Sequence, residues 1–304
     1  MKYTMLICLG VLLLVSCGSR TSAIGGEKRN KCAFIIPVPP VMMSGVSERA
    51  EYIAEHYWQG LDYTDTAWLA DSLALEQVFV DWISVLAKLP QETRVKVAGT
   101  VITHGKSHTV MQVRLGELAE LYFYEPDSPY RNEELYIPIL DALIASPYIE
   151  DIYKERYRFQ LEKALRNRPG TQAADFKFIT KQMQVQQLSD IHSDYILILF
   201  FNPDCHDCKR VIDYINSSTV FSILLKNKCL TILAVYPDED LGAWKRYLHS
   251  MPNEWIVARY ESEADRCRYY LPAIPSLYLL DVEKKVILKD APVELIEAWL
   301  EGKI

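Results

Sequence analysis

Seven consecutive apolar residues, Tyr195-Ile196-Leu197-Ile198-Leu199-Phe200-Phe201, stop at Asn202-Pro203 and are followed at once by Cys205 and Cys208. An apolar run without polar alternation is what a central parallel strand requires, because helices cover both of its faces. Its length alone leaves a helix open. Past Cys208 the pattern changes, and Val211, Ile212, Ile215, Val220, Leu224 and Leu225 recur at the spacing of an amphipathic helix. The stretch therefore predicts a buried strand that delivers a dithiol to the start of a helix running from Cys205 to about residue 226. A helix N-terminus stabilises a thiolate, the form that attacks a disulfide, and Cys208 lies one turn further on. The spacing by itself is weak, since with 7 cysteines in the chain a chance separation of three arises roughly one time in seven. The surroundings of the pair have to carry the reading.

Those surroundings resemble a known family. The Gly170-Thr171-Gln172-Ala173-Ala174-Asp175-Phe176 entry, the strand ending in Pro203-Asp204-Cys205, and Leu233-Ala234-Val235-Tyr236-Pro237-Asp238 with Trp244 beyond it belong to one pattern. So does Tyr269-Tyr270-Leu271-Pro272-Ala273-Ile274-Pro275-Ser276-Leu277-Tyr278-Leu279-Leu280-Asp281. From about Gly170 onward the chain resembles the TlpA-like thiol-disulfide oxidoreductases, membrane-tethered thioredoxin-fold proteins of the bacterial envelope. The resemblance implies an α/β thioredoxin-like domain over 169–304, with strand and helix alternating before a final hairpin and helix. It implies no cofactor. Electrons would come from a partner's dithiol, and the substrates would be exported proteins with disulfides. Reduction is the direction the resemblance implies.

The N-terminus reads as an export signal. Met1-Lys2, an apolar core from Met5 to Val15 and a small residue before Cys17 make a charged n-region and an h-region too short to span a membrane. Leu14-Val15-Ser16-Cys17 resembles a lipobox, which makes 1–16 a lipoprotein signal peptide and Cys17 the lipidated residue; an ordinary signal peptide with a chance cysteine is the alternative. Residues 17–32 are small and polar and read as a tether. The protein is then expected in the cell envelope, anchored to the membrane by lipid and facing the periplasm. Gly18, where an inner-membrane retention signal would place aspartate, tilts the expectation toward the outer membrane. The net charge of −7 is spread without a basic cluster, which argues against nucleic acid.

Residues 33–168 read as an all-α domain. Pro37, Pro39 and Pro40 keep the entry extended. Ala50, Ile53, Ala54 and Tyr57 line one helical face, and Leu75, Val78, Phe79, Trp82, Ile83 and Leu86 form a stripe that Pro90 ends. Further helices are expected over 91–102, 110–124, 133–145 and 149–167, the last with Ile149, Ile152, Tyr153, Tyr157, Gln160, Leu161 and Ala164 along one side. The Ala50-Glu51-Tyr52-Ile53-Ala54-Glu55-His56-Tyr57-Trp58 stretch resembles an uncharacterised domain found upstream of thioredoxin-like domains in envelope proteins of Bacteroidetes-type bacteria.

Cys205 is the candidate nucleophile: its thiolate attacks a substrate disulfide, and Cys208 resolves the mixed disulfide. A structural disulfide or two reduced core cysteines is the bland alternative. His206, if protonated, favours a thiolate, whereas Asp204 and Asp207 oppose it, so the redox poise stays open. The resemblance makes Pro275 a cis-proline lying against the sulfurs and gives Ile274 a part in substrate selection. The chain departs from thioredoxins in carrying Asp204 before the first cysteine and His206-Asp207 between the pair, and Leu199 stands where many bury an acid. These departures point to a narrow partner set. Cys229 and Cys267 read as buried small hydrophobes, with a bridge between them a lesser alternative. Cys32 has no assigned role. His104 and His108 read as surface residues, and no metal site is expected. The competing function is a non-catalytic binding or redox-sensing lipoprotein whose helical domain holds an envelope partner.

Overall fold

A computed structural model describes residues 34–105, 108–248 and 251–303. The expected signal peptide, Cys17, the tether and Cys32 lie outside the described residues.

The helical part contains α1 (Val46–His56), α2 (Ala67–Ala70), α3 (Ser72–Leu86), α4 (Gln91–Ala98), α5 (Thr100–Thr103), α6 (Thr109–Phe123), α7 (Glu133–Ala145) and α8 (Asp151–Leu165). Every residue of the expected α3 stripe is buried, and Asp71 caps that helix by accepting the Ala74 N–H. Trp58, Phe79, Trp82 and Phe123 form the centre of this core, with Phe79 and Trp82 packed edge to face at 5.3 Å. Gln112 stitches three helices, its Nε2 donating to Ile102 O and Gly105 O and its Oε1 accepting from Ser146 Oγ. The extended entry lies against this core: a Cβ on Gly60 would come within 2.1 Å of Ile35 O, so no side chain fits there.

The remaining elements are β1 (Lys177–Thr180), β2 (Val185–Gln187), β3 (Tyr195–Phe200), α9 (His206–Ser217), α10 (Thr219–Lys226), β4 (Leu230–Tyr236), α11 (Leu241–Tyr247), β5 (Ile256–Tyr260), α12 (Glu263–Arg266), β6 (Ser276–Leu280), β7 (Val286–Lys289) and α13 (Val293–Glu301). They build one sheet in the order β2-β1-β5-β4-β3-β6-β7. Strand β3 runs parallel to β4 and antiparallel to β6, with Leu199 opposite Ala234 on one side and Leu277 on the other. Its alternation divides the core: Leu197, Leu199 and Phe201 pack with Val211, Phe221, Ile296 and Leu300, while Ile196, Ile198 and Phe200 pack with Phe176, Phe178, Tyr260, Tyr269 and Tyr278. Both faces of β3 are covered, which is why its sequence shows no polar alternation.

Four expectations need correction. The helix expected from Cys205 to 226 is two helices, because Ser218 is extended and its Oγ accepts the Phe221 N–H to start α10. The helix over 91–102 breaks at Gly99, where a Cβ would sit 3.0 Å from Pro138 O. On α8 the buried residues are Lys154, Tyr157, Gln160 and Ala164, whereas Ile152 and Tyr153 face solvent at 71% and 62% exposure. That face is chosen by polar partners, since Gln160 accepts from Tyr136 Oη and donates to Glu120. Finally, Cys229 is half-buried and Cys267 exposed, and both are free thiols.

The helical and sheet parts meet at a charged seam. Lys289, at the end of β7, donates from Nζ to the carbonyls of Lys163, Ala164 and Arg166 at 3.3, 2.9 and 2.7 Å. Its three protons are thereby taken, and Glu133 Oε2 at 2.6 Å serves as the charge partner. Arg131 lies between Glu133, at 3.0 Å, and Asp290. Arg168 grips Glu134 through Nε and Nη2, and Gly170 turns the chain at φ +82, a conformation natural to glycine.

Candidate functional site

Strand β3 ends between two partner strands, and its exit carries the chain over the edge of the sheet into α9. Asn202 shapes that exit: its backbone carbonyl accepts the Cys205 N–H, its Oδ1 accepts the Asp204 N–H at 2.9 Å, and its Nδ2 donates to Asp238 at 2.6 Å. The loop after β3 is thus pinned to the loop after β4. Cys205 is the N-cap of α9, with φ −89 and ψ 120, and its Sγ accepts the Cys208 N–H at 3.2 Å. A sulfur replaces the oxygen usual at this position, so one of the helix's free N–H donors is aimed at the thiol that the sequence marks as the nucleophile.

The two thiols have different surroundings. Cys205 is half-buried, whereas Cys208 is 1% exposed among Leu199, Phe201 and Val211. Burial pushes the Cys208 thiol well above the ordinary thiol range, helped by its hydrogen bond with Cys205 and by the Asp207 charge, and only the Asn202 N–H pulls the other way. The arrangement supplies an accessible sulfur at a helix start and a protonated one behind it.

The Ile274–Pro275 peptide bond is cis. Strand β6 begins immediately after it, with Ser276 paired to Phe200 at the end of β3, so register brings this loop to the dithiol. Cys205 Sγ donates to Ile274 O at 3.5 Å. His206 points into solvent with its side chain 94% exposed, and its Nδ1 is 3.9 Å from Asp207 Oδ1. Asp204 accepts from Tyr247 Oη at 3.2 Å and lies 3.9 Å from Arg246. Leu199 is fully buried and offers no proton acceptor. His104 is turned inward to Thr100 O through Nδ1. No group of three or more potential metal ligands occurs among the described residues.

The structure therefore brings Cys205, Cys208, Ile274 and Pro275 together, sets Asp207 beside them, and leaves His206 outside. Asn202 and Asp238 were not anticipated as part of this site. Their signal was present in a turn-forming Asn-Pro directly after a strand and an acid directly after the next one, but only parallel pairing of β3 with β4 aligns the two ends.

A family model described as a domain of unknown function (DUF5106) matches residues 16–167. A crystal structure of a thioredoxin-like protein from Bacteroides caccae is 36% identical, with a TM-score of 0.86 over 89% of this chain and 99% of that one. The C-terminal domain of an uncharacterized protein from Bacteroides fragilis is 34% identical over 44% of this chain and 98% of its own, with a TM-score of 0.43. The thioredoxin domain of a thiol-disulfide oxidoreductase from Bacteroides vulgatus is 20% identical over 45% of this chain and 97% of its own, with a TM-score of 0.40. No curated protein matches. With half of its length matched by the family model and nearly all of a 36% identical thioredoxin-like protein covered, the chain belongs to the DUF5106 family and is a thioredoxin-like protein.

Proposed function

We propose that the protein is an envelope-anchored thiol-disulfide oxidoreductase that reduces disulfides of other exported proteins. The observation that carries this reading is the placement of Cys205 Sγ, which caps α9 through the Cys208 N–H while lying 3.5 Å from the carbonyl that precedes Pro275. The Cys205 thiolate attacks one sulfur of a substrate disulfide; the S–S bond breaks, a Cys205–substrate bond forms, and the departing sulfur takes a proton from water. Cys208, deprotonated in turn, attacks Cys205 and releases the second substrate thiol. Two electrons have then passed to the substrate, and the Cys205–Cys208 disulfide awaits a dithiol donor. The buried, protonated Cys208 supports this order, because a sulfur that is slow to ionise lets the mixed disulfide form before it is resolved. Asp207 tunes Cys208 through its charge, His206 is available at the surface to a partner, and Ile274 lines the substrate's path. Lipidation of Cys17 supplies the anchor, facing the periplasm at the outer membrane.

The test is the redox equilibrium of the pair in the chain from Lys28 onward, against glutathione buffers and read by alkylation and mass spectrometry. A potential of about −270 mV matches a reducing thioredoxin, and one of about −120 mV recasts the protein as an oxidant. In the same protein Cys205→Ser should abolish turnover and Cys208→Ser should trap a mixed disulfide. A pair that forms no reversible disulfide turns the reading to a binding lipoprotein.

A further inference from the structure

Next to the dithiol the helical part does more than pack. A cleft of about 570 Å3 opens between the loop joining α6 to α7 and the loop that carries Ile274 and Pro275, with the first turn of α9 as its floor. Pro126, Asp127 and Pro129 form the helical wall; Ile274, Pro275 and Asp207 face it. The wall is a fixed structure. Asn132 N donates to Phe123 O at 2.9 Å, Ser128 Oγ donates to Tyr122 O at 2.5 Å, and Arg131 ties the loop to Asp290 across the cleft. An extended segment whose cysteine reaches Cys205 therefore runs along a channel with one side from each part of the protein.

The charges of this channel do not balance. Its carboxylates are Asp127, Glu133, Glu134, Asp207 and Asp290, against the cations Arg131, Arg210 and Lys289. Each cation is already matched, Arg131 by Glu133 and Asp290, Lys289 by Glu133, and Arg210 by Glu294 at 3.1 Å. Glu134 is held by Arg168. Among the described residues Asp127 has no ion pair, and Asp207 has only the His206 ring at 3.9 Å. One unspent carboxylate thus stands on each wall.

We infer that this cleft is a substrate channel selecting a polypeptide that carries lysine or arginine two or three residues from its reactive cysteine, with Asp127 of the helical part as a specificity residue. The inference rests on the exchange reading above. Two or three extended residues reach about 7–10 Å at ~3.3 Å per residue, and the cleft comes up to the dithiol through Asp207, which lies between the two cysteines, and Ile274, whose carbonyl is 3.5 Å from Cys205 Sγ. A solvated charge pair about 6 Å apart favours the cation about threefold, so two carboxylates select about tenfold for a basic over a neutral flank, and the effect fades as salt screens them.

The experiment compares two peptides, each with one cysteine activated as a 2-thiopyridyl mixed disulfide and flanked either by lysines or by glutamates. They react with the dithiothreitol-reduced chain from Lys28 onward, read by release of 2-thiopyridone. The lysine peptide is expected to react at least tenfold faster at low salt, and the ratio should approach one in 1 M salt. Asp127→Asn should lower the ratio about tenfold, since one carboxylate favours lysine and disfavours glutamate by about threefold each, and Asp127→Lys should lower it further. Equal rates for the two peptides, or a ratio that Asp127→Lys leaves in place, overturn the inference. Neutral 2,2′-dithiodipyridine separates the two claims, because a protein inert to it as well refutes the exchange reading. In that event anisotropy of fluorescent peptides with cysteine replaced by serine decides the channel: salt-sensitive preference for the lysine peptide upholds it, and equal binding or none overturns it.

Discussion

Replacing Lys289 by methionine keeps the length of the side chain and deletes the charge at the seam between the helical and sheet parts. The Lys289 side chain is 7% exposed, and its ammonium serves the last carbonyls of α8 and the Glu133 carboxylate at once. Removing it strands the negative end of a helix and takes from Glu133 one of its two cationic partners, in a site that water barely reaches. Breaking a buried pair in this way costs about 3–5 kcal/mol. Glu133 keeps Arg131 at 3.0 Å, which argues for the lower end. At roughly 2–4 °C per kcal/mol for a chain of this class, a loss of about 3 kcal/mol lowers the midpoint by about 6–12 °C. Since every lost contact lies at the seam, calorimetry of the chain from Lys28 onward should also show the single transition separating into two. A Lys289→Met protein melting within about 2 °C of its parent, in one transition, would refute the reasoning.

Resolution of the mixed disulfide should accelerate about tenfold per pH unit between pH 6 and 9 in rapid-quench experiments. Burial holds the Cys208 thiol above its ordinary value, so its thiolate is still rising where a free thiol near 8.5 levels off, and a plateau at pH 8 would contradict it. The same shift predicts that the reduced protein loses stability as pH climbs past the unfolded thiol value, since the folded state keeps a proton that the unfolded chain releases. Phe79→Ala, which empties the fully buried centre of the helical core, should cost about 3–5 kcal/mol in urea titration, and a loss under 1 kcal/mol would show that the core collapses around it. Ser218→Ala removes both the α10 cap and a hydrogen bond to Glu297 and should cost about 1–2 kcal/mol by the same titration, whereas a neutral result would mean that α9 and α10 can fuse.

What the chain declares by itself is whatever depends on neighbours along it. The seven-residue apolar run, the α3 stripe and the change of period after Cys208 each report which faces are covered, and β3, α3 and α9 form where those patterns lie. The dithiol at a helix start was legible for that reason, and Pro275 was legible through a family pattern. Breaks inside helices were harder: Ser218 caps α10 through the Phe221 N–H but is also held by Glu297 of α13, and Gly99 lies where α7 comes close at Pro138. On α8 the apolar periodicity misled, since Gln160 turns inward to reach Glu120 and Tyr136 and Lys154 is buried, while Ile152 and Tyr153 face water. Only the tertiary structure decided the rest. Parallel pairing of β3 and β4 brings Asn202 to Asp238, antiparallel pairing with β6 brings Ile274 to Cys205, and docking of α8 on Lys289 sets Asp127 across a cleft from Asp207. Each joins residues dozens of positions apart, and no local periodicity encodes them, because the free energy that selects them arises only when the strands and the seam are already assembled.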